Sequence, residues 1–270
     1  METVLAFLAG LLIGSFLNVC IFRLPRDLSV VQPRSFCPAC EKTIAWHDNI
    51  PVLSFFLLRG RCRHCGERIL WRYPLVELGT GAAFAVCVAA LGVTPQAAKY
   101  SIFAAILITL IASDMEERIL PDEFTLGGIV IGLVFAWFVQ LRPEFAQVIV
   151  PGWDPRWISV SEAALGAFFS SGSIWFVGWV YMKLRHREGL GMGDVKMIAM
   201  IGAFLGLKYA LLTLIAASLF GAVGGLVYIF VTGKDASTYE LPFGSFLGMA
   251  ALSVAMFGEV VTRWYSRMGS

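Results

Sequence analysis

The stretch VLAFLAGLLIGSFLNVCIF, residues 4–22, contains no charged side chain and has the length of a membrane-crossing helix. A helix needs about 20 mostly apolar residues to span the hydrocarbon core of a bilayer. Similar runs recur along the chain, and 58% of its 270 residues are hydrophobic while only 15% are charged. This balance excludes an ordinary soluble domain. The sequence therefore predicts an integral membrane protein built of α-helices.

Further apolar windows predict the other spans. The segment 194–231 has about twice the length of one span and is interrupted near residues 206–208, so we expect two short helices joined by a tight turn there. The fold class is an all-α polytopic membrane protein with about eight transmembrane helices. No cleavage site follows the first window, which we expect to be a retained span. The remaining windows are 73–91, 95–113, 124–141, 162–184 and 243–261.

The distribution of Lys and Arg predicts the orientation. If the long loop after the first span faces the cytoplasm, that side receives 14 of the 21 Lys and Arg residues and the opposite side receives 6. Cytoplasmic loops of membrane proteins carry such an excess. Both termini then face away from the cytoplasm. The formal net charge of +2 gives no indication of nucleic-acid binding.

The loop 23–72 contains two C-x-x-C motifs, Cys37 with Cys40 and Cys62 with Cys65. Such pairs are typical of a tetrahedral zinc site, because each motif brings two thiolates to one ion from a single turn. Gly66, directly after the second pair, suits a turn that needs a permissive backbone. We therefore predict one structural zinc ion in a cytoplasmic loop.

Two alternatives accompany the zinc site. The four cysteines would form two disulfides in an oxidising compartment, although the predicted cytoplasmic side keeps thiols reduced. His47 and His64 are alternative ligands, but four cysteines already close a tetrahedral site. Two further cysteines lie in apolar spans and are expected to act as small hydrophobic side chains; these are Cys20 and Cys87.

Two aspartates are predicted at the same membrane face. Asp114 follows a long apolar run and so lies at the C-terminal end of a helix, where the dipole disfavours a carboxylate. Asp194, in GLGMGDVKM (residues 189–197), begins a helix, where the dipole favours the charged form. Two acids in opposite environments suit catalysis by a general acid and a general base. The alternative for Asp194 alone is a helix cap after flexible glycines.

An acidic turn follows Asp114. Pro121 is expected to end or bend any continuing helix. The simplest interpretation is a solvated helix end, and the alternative is a surface that attracts a basic ligand. The acids of this turn are Glu116, Glu117, Asp122 and Glu123.

These motifs, in this order, resemble those of the type IV prepilin peptidases, which are bifunctional leader peptidases and N-methyltransferases of bacterial inner membranes. The resemblance covers nearly the whole chain. It is carried by GSFLNVCIFRLP (14–25), the paired C-x-x-C loop, RYPLVELGTG (72–81), SDMEERILPDEFT (113–125) and GLGMGDVKM. The resemblance implies that Asp194 is the G-x-G-D aspartate and Asp114 its catalytic partner. Within the same motif it implies supporting roles for Gly191, Gly193 and Lys196.

The resemblance also implies the reactions. The enzyme would cleave the short basic leader of prepilins or type II secretion pseudopilins at the cytoplasmic membrane face. It would then methylate the new N-terminal amine with S-adenosylmethionine as the methyl donor. Residues 1–92 would form a methyltransferase-associated region with the zinc loop, and residues 93–270 the aspartyl peptidase domain.

The resemblance leaves the contacts to both ligands open. For the methyl donor, Asn18 and Glu77 are polar residues within apolar spans, while a helix–helix hydrogen bond and a helix-start carboxylate are their respective alternatives. For the basic leader, the candidates are Glu116, Glu117 and Glu123.

Two rival functions belong to other classes. In a transporter with a regulatory zinc knuckle, Asp114 and Asp194 would carry protons or cations, but such sites usually lie near mid-span. A non-catalytic scaffold of a secretion machine would tolerate Asp-to-Asn changes at both positions. The substrates that the resemblance implies as partners are prepilins or pseudopilins, and the apolar spans imply the lipid bilayer.

Overall fold

A computed structural model describes residues 1–185, 191–232 and 242–268. Within these ranges the chain is helical, and its only extended pairings are two isolated β-bridges in the cysteine loop. The prediction of an all-α protein is confirmed. Ten α-helices are described: α1 (Glu2–Arg23), α2 (Leu53–Leu57), α3 (Arg72–Leu91), α4 (Pro95–Glu117), α5 (Asp122–Phe138), α6 (Ala146–Ile149), α7 (Pro155–Arg185), α8 (Met192–Leu205), α9 (Leu207–Thr232) and α10 (Phe243–Met268).

The helices fall into two compact units. Unit 1 is Met1–Glu117 and unit 2 is Arg118–Ser270. Helix α4 therefore belongs to unit 1. The functional division predicted between residues 92 and 93 remains a prediction, because compactness alone does not assign an activity to either part.

Each predicted span coincides with a helix. Five helical segments are long and apolar enough to cross a membrane in the described part of the chain: Glu2–Arg26, Arg72–Leu91, Pro95–Glu117, Pro155–Arg185 and Leu207–Val227. Helices α5 and α8 are shorter, at 17 and 14 residues. The apolar part of α10 described in the structure is Phe243–Glu259.

In unit 1, small residues let α1 and α3 approach closely. A Cβ atom added to Gly10 would lie 2.7 Å from the Cα of Gly81, and one added to Gly14 would lie 2.7 Å from the Cα of Glu77. Small residues are typical of contacts between membrane helices, since lipid offers no hydrophobic drive and close packing must supply the attraction. This contact aligns the C-terminal end of α1 with the N-terminal end of α3.

In unit 2, α8 is the central helix. All nine residues from Met197 to Leu205 are buried, as expected for a helix that is apolar on every side. A Cβ atom added to Gly166 on α7 would lie 2.5 Å from the carbonyl oxygen of Gly202 on α8. Backbone therefore packs directly on backbone where α7 and α8 cross.

The predicted interruption near residues 206–208 is confirmed. Helix α8 ends at Leu205, and Gly206 adopts φ 81°, a conformation that favours glycine. Helix α9 then begins at Leu207. Beside this turn, the buried carboxylate of Glu162 accepts hydrogen bonds from three successive backbone N–H groups at residues 144–146.

We predict that Gly166→Ala destabilises the protein by about 1–3 kcal/mol, because the added methyl group overpacks the contact between α7 and α8. Gly172→Ala on the same helix is the matched control, since a Cβ atom there meets nothing within 4 Å. It should be neutral or slightly stabilising. Thermal unfolding in detergent measures both, and equal effects of the two substitutions would contradict the packing argument.

Candidate functional site

The cysteine loop consists of two hairpins with the same hydrogen-bond pattern. Antiparallel bridges join Phe36 to Thr43 and Arg61 to Arg68. Within each hairpin, the N–H of the first cysteine donates to the carbonyl five residues later, at 3.0 and 2.8 Å. Each C-x-x-C motif therefore lies in a rigid turn, as the sequence predicted.

The two hairpins bring four sulfur atoms into one cluster. The Sγ atoms of Cys37, Cys40, Cys62 and Cys65 all lie within 4.8 Å of one another, and those of Cys37 and Cys65 are 3.9 Å apart. Tetrahedral zinc with bonds of about 2.3 Å requires sulfur separations of about 3.8 Å. All six cysteines are free thiols, so the four form one cluster rather than two disulfides. The donor set fits a zinc ion without a histidine ligand.

The pKa values of two of these thiols are shifted in opposite directions. Hydrogen bonds from the backbone of Cys65 and then of His64 lower the pKa of the Cys62 thiol to about 7. At Cys65 the backbone hydrogen bond of Glu67 lowers the pKa, but burial and the neighbouring sulfurs raise it to about 12. One thiolate forms readily, and further thiolates repel one another unless a cation lies among them.

The turn positions of the two hairpins are equivalent but carry different residues. Gly66 has φ 74°, which confirms the expected permissive backbone, and Glu41 in the first hairpin has φ 58°. A non-glycine residue is strained in this region. Sequence reasoning missed Glu41, although its place directly after the first C-x-x-C motif is the signal that identifies it.

The rest of the loop is held by charged side chains. Arg63 donates to both carboxylate oxygens of Asp48, at 2.7 and 2.6 Å, which lowers the pKa of that carboxyl. The buried guanidinium of Arg23 donates to the carbonyls of Ser29 and Pro33, at 2.8 and 2.7 Å. These bonds fix a segment that has little apolar core of its own.

As predicted, Asp114 lies in the last turn of a helix, α4, which belongs to unit 1. It is only 6% exposed, and the adjacent Ser113 is fully buried. The chain turns at Arg118, which has φ 55°. Pro121 then precedes α5, so the predicted end of the helix before this proline is confirmed.

Asp194 lies in the first turn of α8 within unit 2, as predicted. Gly191 precedes the helix with φ −73°, an ordinary backbone conformation, and a Cβ atom there would lie 3.5 Å from Oδ2 of Asp194. A Cβ atom added to Gly193 would lie 3.2 Å from that of Leu120. Crowding against Leu120 therefore accounts for Gly193, whereas a side chain at Gly191 would make only an ordinary contact. Gly189 lies outside the described residues.

Lys196 joins the start of α8 to the start of α5. Its Nζ donates to both carboxylate oxygens of Asp122, at 2.7 and 2.8 Å. Asp122 belongs to the acidic turn but was not among the candidate leader-binding acids. The ion pair gives it a specific role: Asp122 positions the helix that carries Asp194.

Two of the three candidate leader-binding acids already have cationic partners. Within unit 1, Glu116 pairs with Arg72 and Glu117 pairs with Arg26. Glu123, in unit 2, is exposed and forms no ion pair with any residue that the structure describes. Leader recognition by the three acids remains a prediction, and Glu123 is the most accessible of them.

The two candidate donor-binding residues lie at one cavity. Asn18 on α1 donates through Nδ2 to the carbonyl of Tyr73 at 3.0 Å, and Glu77 on α3 accepts the N–H of Val52 at 2.7 Å. Both residues line a cavity of about 550 Å³ within unit 1. Asn18 thus makes the helix–helix hydrogen bond considered as its alternative role, and Glu77 anchors the cysteine loop.

Two protein-family models match separate parts of the chain. Residues 8–91 match the Bacterial Peptidase A24 N-terminal domain, and residues 101–226 match the Type IV leader peptidase family. A protein of Aeromonas salmonicida named prepilin leader peptidase/N-methyltransferase is 34% identical over 97% of this chain and 92% of its own length. The chain belongs to the type IV leader peptidase family.

Other relatives carry the same name. The Klebsiella pneumoniae protein is 39% identical over 78% of this chain and 89% of its own length. The Myxococcus xanthus protein is 40% identical over 86% of this chain, which spans only 64% of that relative. No solved structure matches the chain significantly. Membership in the leader peptidase family disfavours both the transporter and the scaffold.

We predict that adding a side chain at one turn of the cysteine loop and removing one at the other have opposite effects on the stability of the loop. Gly66→Ala should cost about 1–2 kcal/mol, because it places a Cβ atom in the left-handed region. Glu41→Gly should be neutral or stabilising, since it removes the same strain. The urea dependence of thiol alkylation in the loop measures both. Equal losses of stability would show that the two turns are not equivalent.

Proposed function

We propose a division of labour within this enzyme, which cleaves the leader peptide of prepilins and N-methylates the product. The zinc-bound loop and the spans beside it, residues 1–92, serve methylation, and residues 93–270 serve proteolysis. The observation that carries this proposal is that the loop 23–72 has its own metal-ligand cluster and cavity, and neither aspartate is among the residues of that cluster or that cavity lining.

Asp114 and Asp194 are the catalytic aspartates of the proposal. Each lies at one end of an apolar helix. Asp114 is buried, and the helix start that carries Asp194 is held by the ion pair of Lys196 with Asp122 and by close packing of Gly193 on Leu120. One carboxylate would take a proton from water while the other protonates the leaving amine. The acid and base roles are therefore assigned to the two aspartates jointly and not to either one.

The proposed topology has eight crossings with both aspartates toward the cytoplasm. The chain is a multi-pass protein of the bacterial inner membrane, as its family and its five long apolar helices indicate. The positive-inside excess supports the orientation. The agreement between all eight predicted spans and helices supports the count, with α5, α8 and α10 as the three crossings beyond those five.

The proposed metal is one structural zinc ion held by Cys37, Cys40, Cys62 and Cys65. The sulfur spacing and the equivalent hairpins support it. When bound, the ion would join two hairpins that share little apolar surface. Its role is to fold the loop, because a closed four-thiolate site leaves no coordination position for a substrate.

The proposed substrates are prepilins or type II secretion pseudopilins whose leaders carry Lys or Arg before the cleavage point. Glu123 supports this choice as an exposed acid beside the start of α5. Glu116 and Glu117 are paired with Arg72 and Arg26. They would contribute to leader binding only if Lys or Arg residues of the leader replaced these two arginines as their partners. Exposed pairs contribute about 0–1 kcal/mol each, so these acids would affect capture of the leader rather than bond cleavage.

We predict that Asp114→Asn or Asp194→Asn lowers kcat for leader cleavage by about 10²–10⁴-fold, the usual contribution of a general acid or base. Methylation of an already cleaved substrate should persist, which shows that the variant is folded. Asp154→Asn removes an exposed acid before α7 and serves as the control. Substantial cleavage of a prepilin by purified Asp194→Asn enzyme would refute the assignment.

We predict about one equivalent of zinc per chain in the purified protein. Cys40→Ser or Cys65→Ser should release the metal and impair methylation more directly than cleavage, since neither aspartate lies in the loop. Cys87→Ser, in α3 and outside the cluster, should retain the metal. Elemental analysis measures the content. A folded enzyme without metal, with all four loop thiols open to alkylation, is the contrary result.

A further inference from the structure

The cavity within unit 1 has the dimensions of a small-molecule site. Its volume is about 550 Å³, and such sites usually measure about 300–1,000 Å³. The C-terminal half of α1, the start of α3 and the cysteine loop form its walls. The lining residues that matter for the argument are Asn18, Phe22, Phe36, Phe55, Tyr73 and Glu77.

Two buried polar atoms of this lining have no hydrogen-bond partner among the described residues. They are Oδ1 of Asn18, an acceptor, and Nε of Arg72, a donor. Asn18 is only 2% exposed. Buried polar atoms in proteins are almost always paired, because leaving one unpaired costs its full desolvation. An unpaired donor and an unpaired acceptor at one cavity indicate a ligand that offers both functions.

The cavity also holds a buried carboxylate without a cationic partner in the described ranges. Glu77 is 8% exposed, and Oε2 accepts the N–H of Val52. A carboxylate accepts about four hydrogen bonds, so Glu77 retains capacity for a ligand. Burying an unpaired charge is costly. A cationic group placed beside Glu77 would offset that cost.

Four of the five arginines of the lining are already engaged. Arg26, Arg63 and Arg72 pair with Glu117, Asp48 and Glu116, and Arg23 donates to backbone carbonyls. Arg68 and Lys42 also line the cavity and form no ion pair with any described residue. A ligand that carries both a cationic group and a carboxylate would therefore find Glu77 and unpaired cations in the same lining, whereas a phosphate would leave Glu77 without a cationic partner.

Aromatic rings complete the lining. Phe22 and Phe36 lie edge to face, with ring centroids 6.4 Å apart, and Phe55 packs on Trp71 at 4.8 Å. Flat apolar rings bind a purine base by stacking, which is tolerant of exact position. The cavity thus combines surfaces for an aromatic base, a buried anion for a cation, and one unpaired donor and acceptor.

We propose that this cavity binds the methyl donor, S-adenosylmethionine. The proposal rests on the methyltransferase function proposed above. The adenine would lie among the aromatic rings and the positively charged methionyl part beside Glu77, with Asn18 and Arg72 as hydrogen-bonding partners. Bound there, the donor supplies a methyl group on a sulfonium sulfur. Two zinc-ligand residues, Cys37 and Cys62, line the same cavity, so folding of the loop by metal would complete the site.

Equilibrium dialysis of radiolabelled S-adenosylmethionine and S-adenosylhomocysteine with the full-length enzyme in nanodiscs tests the site. Glu77→Gln should weaken binding of the donor at least tenfold, and binding of the product less, because the product lacks the sulfonium charge. Asn18→Leu should weaken both at least tenfold. Thr80→Val is the matched control, a fully buried polar residue of α3 outside the lining. It should leave both dissociation constants unchanged.

Photo-cross-linking of the radiolabelled donor provides a second measurement that needs no variant. Label should map to peptides within residues 15–77, and neither inorganic phosphate nor phosphatidylglycerol vesicles should displace it. Unchanged affinities in both variants, label outside these residues, or displacement by either anion would overturn the proposal. A wild-type enzyme that neither binds the donor nor methylates a cleaved substrate would instead refute the methyltransferase function itself.

Discussion

Every backbone N–H and C=O group that enters the hydrocarbon core needs a partner within the protein, because lipid supplies none. This constraint accounts for the helical character of the described chain and also for the behaviour of its polar side chains. Thr80, Thr109 and Ser170 are fully buried, and each donates its hydroxyl to the carbonyl four residues earlier. Glu162 satisfies three N–H groups where the backbone leaves helical geometry. Against this background, an unpaired buried atom such as Oδ1 of Asn18 is informative, since its neighbours are so consistently paired.

In the proposed function, the chemistry lies at helix ends and in the cysteine loop. Asp114 occupies the last turn of α4 and Asp194 the first turn of α8. In the proposed topology both helix ends lie at the membrane surface, where that constraint relaxes. The loop has no such helical frame. It relies on paired hairpins, a cluster of thiols and ion pairs such as Arg63 with Asp48 to hold one conformation. Proteolysis is thus assigned to positions that the membrane fold fixes, and methylation to a segment that a metal would fix.

The sequence predicted the features that depend on local composition. Hydropathy located every long helix, and the break at Gly206 followed from the excess length of one apolar segment. The four cysteines were identified by spacing alone. Features that depend on distant partners were not predictable. Arg26 and Glu117 are 91 positions apart, and Arg72 and Glu116 are 44 apart, so no local pattern signals that they pair. Helix α7 begins at Pro155, whereas the apolar window predicted a span from residue 162. Ser159 and Glu162 lie in this first part of the helix and can be buried despite their polarity, because each accepts a hydrogen bond from the backbone of another segment.

The shortness of α8 has a consequence for water near its first turn. Its 14 residues measure about 21 Å at 1.5 Å per residue, while the hydrocarbon core measures about 30 Å. Protein rather than lipid surrounds Met197–Leu205, so lipid tails do not fill the difference of about 9 Å in the proposed crossing. Water can fill it instead, below the level of the membrane surface and next to the first turn, where Asp194 lies. The proposed hydrolysis would then draw its water from a recess that the length of a single helix creates.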